Sequence, residues 1–529
     1  MTTRNDRRIH VWFPAAATAL FAAAHTQPAV FYSNQNQYFL HGLAAAGRGD
    51  LAADWLAATK DPTPVFSKAV AVLYSLTGER GVYAVFFGLA AAYFLSLWAV
   101  VAATPWKPAR AAGRWAFAAA LIAVHSGAAR AASVSAFGVD YPWYFQAGVA
   151  NQYVLGAGLQ PSVFGVFLLT AIALFAHGRH YLAAVAIAVA CTLHSTYLLP
   201  GALLVVGMMA RLTFTHSLGT AARVGAVALV GVLPVTVAAA VVFRPTDSET
   251  FAEAQRVIAW VRIPHHCDVN RWLDLVAWLQ IAWAGLGVIA LRRTNLFAPL
   301  AVAALLAILL SVLQSVTHSA TLALLFPWRL SAVLVPLATA VLFARVVSPL
   351  ERRIPATALL VGAGVLLVAA VAGTKWVMAE GRAYQVGTTE DGLQRDVAAN
   401  RRPGEIYLLP ATFPKPPSKP GSGSSSFVPV PTTGPVIFEL QRFRLESGAA
   451  AYVDFKSIPY ADTDVIEWHT RVKNCVRWYG APDWDTAGLM DEVQAAGITH
   501  VAVPAGGKVS SRHLREVYAD DNYRLFRVE

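Results

Sequence analysis

The sequence predicts an α-helical polytopic membrane protein that carries a C-terminal α/β domain. Of its 529 residues, 56% are hydrophobic and only 14% are charged, whereas about a quarter of the residues in soluble globular proteins are charged. Apolar runs, many of them long enough to span a bilayer, recur along the chain up to about residue 373. Beyond that point the apolar runs stop, and short segments typical of strands take their place.

About eleven apolar segments are expected to span the membrane or enter it, and three of them are short for a full bilayer. In chain order they cover about 11–30, 81–103, 115–137, 163–176, 181–193, 197–210, 224–243, 273–291, 296–316, 330–344 and 355–373. Arg4, Arg7 and Arg8 precede the first segment, so the N-terminus is predicted to be cytoplasmic and the segment to be an uncleaved signal anchor. With this start, every later cytoplasmic loop carries arginine, in agreement with the positive-inside rule.

This topology divides the chain into three parts. A transmembrane module spans 1–373 and includes a long first outer loop, 31–80, with two short helices expected around 37–46 and 51–59. A connector rich in Pro, Gly and Ser spans 374–435, and an extracytoplasmic α/β domain spans 436–529. Since most acidic and polar loop residues fall on the outer side, chemistry is expected at the outer face.

The net charge of +11 does not predict a nucleic-acid partner. Cytoplasmic loops collect Lys and Arg for topological reasons, and no basic run is interleaved with aromatic residues. The three cysteines are too few for a disulfide framework or a four-thiolate zinc site. Cys267 and Cys475 both fall on the outer side, where they could be disulfide-bonded or unrelated.

The most polar stretch in an outer loop is RIPHHCDVN, residues 262–270. Arg262 and a neighbouring histidine, His265 or His266, could together bind a phosphate, because a guanidinium presents a planar fork of donors. A metal site that includes Asp268 is conceivable, but adjacent histidines point in different directions on a helix or a strand. A simpler alternative is that one histidine caps the following helix or hydrogen-bonds to it while the other is solvated. Asp268 or Asn270 could itself be the N-cap of the span that starts near Trp272.

Other candidates are scattered over the outer loops. Asp54 could act as a general base or bind a divalent cation, or it could simply lie on a helix face. Asp140 precedes the aromatic residues 141–144, which could stack on a sugar or form an interfacial belt. His194 lies near the outer ends of short spans. Arg329 could add a further phosphate donor or could snorkel toward the interface.

The arrangement of outer loops and C-terminal domain resembles the GT-C superfamily of membrane glycosyltransferases, and more closely a group of bacterial polytopic proteins within that fold. The residues that carry the resemblance are NQNQYFLHGL, DWLAATKDPTPVF, RIPHH, PWRLS, and VDFKSIPY followed by Glu467, Trp468 and Arg471. The resemblance implies a polyprenyl-phosphate-linked sugar donor and an essential acid in the first outer loop. This sequence has Asn34 and Asn36 where that acid is expected, and Asp54 could replace it from a shifted position.

The leading hypothesis is therefore transfer of a sugar from a lipid phosphate carrier to a glycan or protein acceptor at the outer face of a bacterial plasma membrane. Asp54 or Asp140 would deprotonate the acceptor, while Arg262, His265, His266 and Arg329 would bind the donor phosphate. No cofactor is predicted, although a divalent cation is not excluded. The alternatives are a non-catalytic scaffold for envelope assembly and a transporter of lipids or solutes, for which no internal repeat is apparent.

Overall fold

A computed structural model describes residues 4–25, 27–137, 145–381, 387–412, 437–485 and 488–529. Its contacts divide the chain into two compact units. Unit 1 comprises residues 1–28, 83–237 and 264–384, and unit 2 comprises residues 29–82, 238–263 and 385–529. Residues 31–80, the predicted first outer loop, therefore belong to the same unit as the C-terminal segment, whereas the predicted domain boundaries assign them to the transmembrane module.

Unit 1 is built almost entirely of helices. Its α-helices are Arg4–Ala24, Ala111–His125, Gly127–Phe137, Val166–Ala176, His180–Leu193, Leu198–Thr215, Pro264–Cys267, Val269–Trp272, Leu275–Ala290, Phe297–Thr317, Ala320–Leu324, Ser331–Arg353 and Ala356–Ala379, and it contains most of Glu79–Ala102 and Leu218–Val242. Short 3₁₀ turns form at Pro161–Gly165, Ser195–Tyr197, Leu291–Arg293 and Pro327–Leu330. Two short strands, β1 (Ala147–Gly148) and β2 (Gln152–Tyr153), pair antiparallel.

Several of these helices are long and apolar enough to cross a bilayer. In the part of the chain that the structure describes there are seven: Glu79–Ala102, Ser195–Thr215, Leu218–Val242, Leu275–Arg293, Phe297–Thr317, Ala320–Arg353 and Ala356–Ala379. Five shorter apolar helices accompany them. The expected multi-pass helical architecture is confirmed, while the number of eleven spans stays a prediction. One expected span, 115–137, is interrupted at Ser126 and forms two helices.

Small residues let two helices of unit 1 approach closely. A Cβ added at Gly127 would lie 2.4 Å from the backbone of Gly373, and one added at Gly373 would lie 2.1 Å from the amide nitrogen of Ala128. Neither distance is compatible with a larger side chain unless the helices separate. The pair is of the small-residue type that brings helix backbones together in membranes.

Glu351 has a structural role in unit 1. Its two carboxylate oxygens accept hydrogen bonds from the backbone amides of Ala109 and Arg110, at 2.9 and 3.1 Å. These amides precede the helix Ala111–His125, whose positive N-terminal end favours a carboxylate. The carboxylate fits because residue 113 is glycine; a Cβ there would lie 2.1 Å from Glu351 Oε2.

Unit 2 contains a mixed five-stranded sheet in the order β6-β3-β7-β9-β8. Strands β6, β3 and β7 are parallel, and β9 is antiparallel to both β7 and β8. The strands are β3 (Ile406–Leu408), β6 (Ala450–Ala451), β7 (His500–Pro504), β8 (Leu514–Ala519) and β9 (Tyr523–Val528), and a separate pair is formed by β4 (Ala411–Thr412) and β5 (Ile437–Phe438).

The helices of unit 2 come from all three of its chain segments. The α-helices are Gln35–Tyr38, Leu40–Ala45, Pro64–Thr77, Ser248–Arg256, Asp391–Asn400, Phe443–Ser447, Asp462–Gly480 and Leu489–Ala495, with a 3₁₀ turn at Leu51–Ala53 and a π-helical segment at Val257–Arg262. The core contains three fully buried tryptophans, Trp468, Trp478 and Trp484. The C-terminal α/β domain predicted from the sequence is confirmed as a small sheet with helices.

Several local predictions for unit 2 need correction. The helix Pro64–Thr77 was not predicted. Proline is favourable at its first position, where the missing N–H is not needed. Strand β8 was also not expected. The connector predicted at 374–435 contains the helix Asp391–Asn400 and strand β3, and its residues 413–435 lie outside the described residues.

Candidate functional site

The polar segment Asp454–Tyr460, sequence DFKSIPY, follows strand β6 and precedes the helix Asp462–Gly480. We call it the 454–460 loop. The carboxyl ends of parallel strands are the usual position of binding sites in open α/β sheets. Asp454 shapes the loop, because its Oδ1 accepts a hydrogen bond from the amide of Ser457 at 2.6 Å. Its carbonyl accepts a second bond from Trp468 Nε1 at 3.0 Å, which ties the loop to the core.

A buried ion-pair network holds the start of the loop. Arg444 lies between two carboxylates and donates from Nε to Asp54 Oδ2 at 2.7 Å and from Nη1 to Asp454 Oδ2. Asp54 also accepts from the amides of Leu56 and Ala451, both at 2.9 Å. The exposed fractions of the Asp54 and Arg444 side chains are 0% and 3%. The first outer loop is thus joined to the segments before and after β6 through buried charges.

The far end of the loop is held by Gln37. Its Nε2 donates to the carbonyl of Ile458 at 2.9 Å, and its Oε1 accepts from the amide of the same residue at 2.5 Å. This reciprocal pairing uses both functional groups of one side-chain amide. Nearby in sequence, Asn36 is almost fully buried and donates from Nδ2 to the carbonyl of Ser33, while its Oδ1 accepts no hydrogen bond from the described residues.

Arg262 reaches the middle of the loop from the end of the π-helical segment Val257–Arg262. Such segments are often found at functional sites. Its Nη2 donates to the carbonyl of Lys456, and its guanidinium lies 5.4 Å from the centre of the Phe455 ring. The residue is only 9% exposed, and among the described residues its Nε has no hydrogen-bond partner.

The charge of Arg262 is not neutralised by direct contact. No carboxylate in the described part of the chain lies within ion-pairing distance of it. Burial lowers the pKa of Arg262, and the negative charge of Asp454 offsets part of that effect. A buried cation of this kind costs free energy unless an anion accompanies it. The arrangement therefore favours the binding of an anionic group.

Lys456 is the second cation of the loop. Its side chain is partly exposed, and its amine makes no hydrogen bond or ion pair with any other described residue. Burial and the neighbouring charge of Arg262 lower the pKa of Lys456 to about 8, against an opposing contribution from Asp454. Sequence reasoning missed this residue as a candidate. The signal that could have found it is a lysine between an aspartate and a serine, directly after a buried strand.

Of the two carboxylates predicted as candidate bases, the structure describes Asp54 but not Asp140. Asp54 lies in unit 2, where its carboxylate accepts hydrogen bonds from two backbone amides and from the side chain of Arg444. To act as a base it would first have to separate from Arg444. Asp140 lies outside the described residues, as do the aromatic residues 141–144.

The remaining predicted residues lie in unit 1 and are described within that unit. His266 Nδ1 is 2.8 Å from the carbonyl oxygen of Ala150, and the rings of His265 and His266 are 4.2 Å apart. Asp268 caps the short helix Val269–Trp272 by accepting from the amide of Asn270 at 3.0 Å. The span that follows, Leu275–Ala290, is capped by Asp274, so the prediction that Asp268 or Asn270 caps that span is wrong.

Arg329 and His194 are both set against aromatic rings in unit 1. The guanidinium of Arg329 lies 5.2 Å from the ring of Tyr197 and 5.6 Å from that of Phe326, and its Nε has no partner among the described residues. The ring of His194 packs edge-on against the same Tyr197, at 5.5 Å. Arg329 and His194 thus pack against the ring of the same tyrosine, Tyr197.

Unit 1 also has a buried polar cluster that sequence reasoning missed. Tyr93 Oη lies 3.0 Å from His125 Nε2, and His125 Nδ1 lies 2.8 Å from the carbonyl oxygen of Leu121. Phe21 stacks against this pair, and the neighbouring His25 is hydrogen-bonded to the carbonyl of Gly156 at 2.9 Å. Each histidine has an acceptor on the protein, which is sufficient to explain its burial.

Two further predictions concern cysteines and metals. Cys267 and Cys475 are both free and buried, so the disulfide considered between them does not form. In the described ranges, no three His, Cys, Asp or Glu side chains converge as a ligand set.

Comparison with known proteins bears mainly on the fold. A family model described as a domain of unknown function (DUF6798) matches residues 431–475, which include the 454–460 loop. No curated protein matches the chain.

Two solved structures are similar over the whole length of this chain. One is the crystal structure of ArnT from Cupriavidus metallidurans bound to undecaprenyl phosphate, at 14% identity and a TM-score of 0.48, with 98% of this chain and 97% of that chain covered. The other is the cryo-EM structure of the arabinofuranosyltransferase AftD from Mycobacteria, at 14% identity and a TM-score of 0.46, with 100% of this chain and 40% of that chain covered.

Proposed function

We propose that the chain transfers a sugar from a polyprenyl-phosphate donor to an acceptor at the outer face of a bacterial plasma membrane. The GT-C resemblance of the sequence suggests the donor class, and the positive-inside pattern of its loops suggests the face. In this proposal the N-terminus is cytoplasmic, and the C-terminal domain with its 454–460 loop is extracytoplasmic. The acceptor is a glycan or a protein.

The observation that carries the proposal is the buried, unneutralised charge of Arg262. In glycosyl transfer the bond between the anomeric carbon and the phosphate oxygen breaks, and the departing phosphate gains a negative charge. A fixed cation at that position lowers the barrier because its attraction strengthens as the charge develops. The Nε of Arg262 is buried and has no hydrogen-bond partner among the described residues, and the planar fork of the guanidinium is suited to phosphate oxygens. His265, His266 and Arg329 stay in the proposal as further donors to the phosphate.

The proton of the acceptor hydroxyl needs a base. Asp54 and Asp140 are the carboxylates proposed from the sequence. Asp54 would serve only after release from Arg444, since its oxygens already accept three hydrogen bonds. Which residue acts as the base is therefore a separate question from which reaction the protein catalyses.

The reaction class is tested by donor-dependent incorporation of labelled sugar, with purified protein and synthetic polyprenyl-phosphate sugars. We expect Arg262→Met to lower kcat/KM for the donor about tenfold to a hundredfold, because hydrogen bonds to charged groups contribute roughly 1.5–3 kcal/mol. Arg256→Met is the matched control, since Arg256 is exposed and pairs only with Glu253 in the same helix. Binding of undecaprenyl phosphate should weaken in parallel for the first variant and not for the second.

One observation favours the scaffold alternative, namely that Asp54 is engaged in a structural ion pair. A scaffold would bind partners through unit 2 but incorporate no sugar. If no labelled sugar is transferred from any donor tested, and undecaprenyl phosphate does not bind, the glycosyltransferase proposal is wrong.

A further inference from the structure

We infer that Lys456 accepts the proton of the acceptor hydroxyl during transfer. This inference rests on the proposed function and adds to it a catalytic residue that the sequence did not suggest. It assigns the base to the 454–460 loop instead of to a carboxylate of the first outer loop.

The geometry around Lys456 leaves its amine available. Arg262 fixes the lysine backbone through the carbonyl oxygen, so the side chain is anchored at its base. The oxygens of the neighbouring carboxylate, Asp454, accept from Ser457 and Arg444, and Asp454 forms no ion pair with the amine. No described residue accepts a hydrogen bond from the amine. A partly exposed group without a protein acceptor is free to contact a substrate.

The charges around Lys456 favour its neutral form more than is usual for lysine. Burial and Arg262 lower the pKa of Lys456 to about 8, and Asp454 is the opposing charge. A general base is most effective when its pKa lies near the working pH. By contrast, Asp54 is closed off by the donors that surround it.

The proposed step balances in atoms and charge. The acceptor oxygen forms a bond to the anomeric carbon as the bond from that carbon to the phosphate oxygen breaks, and the electron pair of the broken bond stays on the phosphate. The hydroxyl proton moves to Lys456 Nζ, which becomes an ammonium ion. The new positive charge is on Lys456, while the leaving phosphate becomes more negative. Arg262 lies over the ring of Phe455, the residue before this lysine. The ammonium ion of Lys456 then releases its proton to water.

The test replaces the amine by groups that differ in their ability to accept a proton. Lys456→Arg keeps a positive charge but remains protonated at any working pH. We expect it to lower kcat by about 100-fold or more, the usual contribution of a general base, with donor binding nearly unchanged. Lys473→Arg is the matched control, because Lys473 is an exposed lysine of the same unit.

A chemical rescue separates proton transfer from a structural role. Lys456→Cys should be inactive, and its alkylation with 2-bromoethylamine restores an amine on a side chain of lysine length. The native cysteines Cys191, Cys267 and Cys475 are all buried, so the introduced thiol is expected to react selectively in the folded protein. The wild-type rate should rise with pH through about 8, where Lys456 loses its proton. The rescued enzyme should show the same rise at lower pH, because the thioether lowers the amine pKa.

The outcomes distinguish this inference from the proposed function. Loss of kcat in Lys456→Arg together with a shifted pH profile after rescue supports it. If the wild type transfers sugar and Lys456→Arg is as active as Lys473→Arg, Lys456 is not the base and the glycosyltransferase proposal survives. If the rescued enzyme is active with an unshifted profile, proton transfer by Lys456 is also refuted. If the wild type transfers no sugar from any donor, both proposals fail.

Discussion

Asp54 is surrounded by hydrogen-bond donors, which makes its replacement by asparagine a sharp test of its role. Its Oδ1 accepts from the amide of Leu56, and its Oδ2 accepts from Arg444 Nε and from the amide of Ala451. Asparagine has nearly the same shape but offers one acceptor oxygen and a nitrogen that only donates. Either orientation of the new amide therefore points an N–H group at another donor.

The size of the effect follows from this count. In the less costly orientation the amide oxygen faces Arg444 and Ala451, and only the bond to Leu56 is lost. A buried donor left without a partner costs about 1–3 kcal/mol, and the bond from Arg444 loses its charge-assisted part, roughly another 1–2 kcal/mol. We therefore expect Asp54→Asn to lower the free energy of unfolding by about 2–5 kcal/mol. For a unit of 150–250 residues this corresponds to a fall in Tm of roughly 4–20 °C.

The assay is thermal unfolding of the full chain in detergent, with hydrogen exchange at the amides of Leu56 and Ala451 as a local measurement. Glu253→Gln is the control, because it removes a carboxylate from an exposed ion pair with Arg256, and such pairs contribute about 1 kcal/mol or less. If Asp54→Asn unfolds like the wild type and shows unchanged exchange but transfers no sugar, the structural reasoning is wrong. Asp54 would then be the catalytic carboxylate that the sequence suggested.

Two other features give predictions for the same preparation. Gln37→Glu should destabilise unit 2 by roughly 1–3 kcal/mol, since a carboxylate cannot donate to the carbonyl of Ile458. Gln494→Glu is the control because Gln494 is exposed. Equal melting temperatures for the two variants would contradict the pairing of Gln37 with Ile458. Cys267 and Cys475 should react with a maleimide only after unfolding, because both are free and buried. Rapid labelling of either thiol in the native protein, or a mass that shows a disulfide, would refute this.

Most of the helical architecture could be predicted from the sequence because it depends on local composition. A run of 18 or more apolar residues has few alternatives to a membrane helix. The misses occur where local signals are ambiguous. Pro64 can end one segment or begin the next helix, and here it begins Pro64–Thr77. Strand β8, Leu514–Ala519, has mixed polar and apolar residues and is defined by its pairing with β9.

The candidate site was harder to predict because its contacts join distant parts of the chain. The sequence singled out Arg262 by its charge, but its contact with Lys456 spans 194 residues. The pairing of Gln37 with Ile458 spans 421 residues. No pattern within a single segment contains such information. The role of Asp54 was open for the same reason, since its partner Arg444 lies 390 residues away.

The charged groups around the 454–460 loop differ in whether they have hydrogen-bond partners in the protein. A carboxylate that accepts three hydrogen bonds from the protein, as Asp54 does, has its oxygens engaged by those donors. An amine that has no acceptor and lies near a buried guanidinium is destabilised in its charged form, as in Lys456. A base must contact the hydroxyl from which it takes the proton, and the amine of Lys456 is available for that contact whereas the oxygens of Asp54 are engaged by the protein. For this reason we place proton transfer on Lys456 and the attachment of the loop on Asp54.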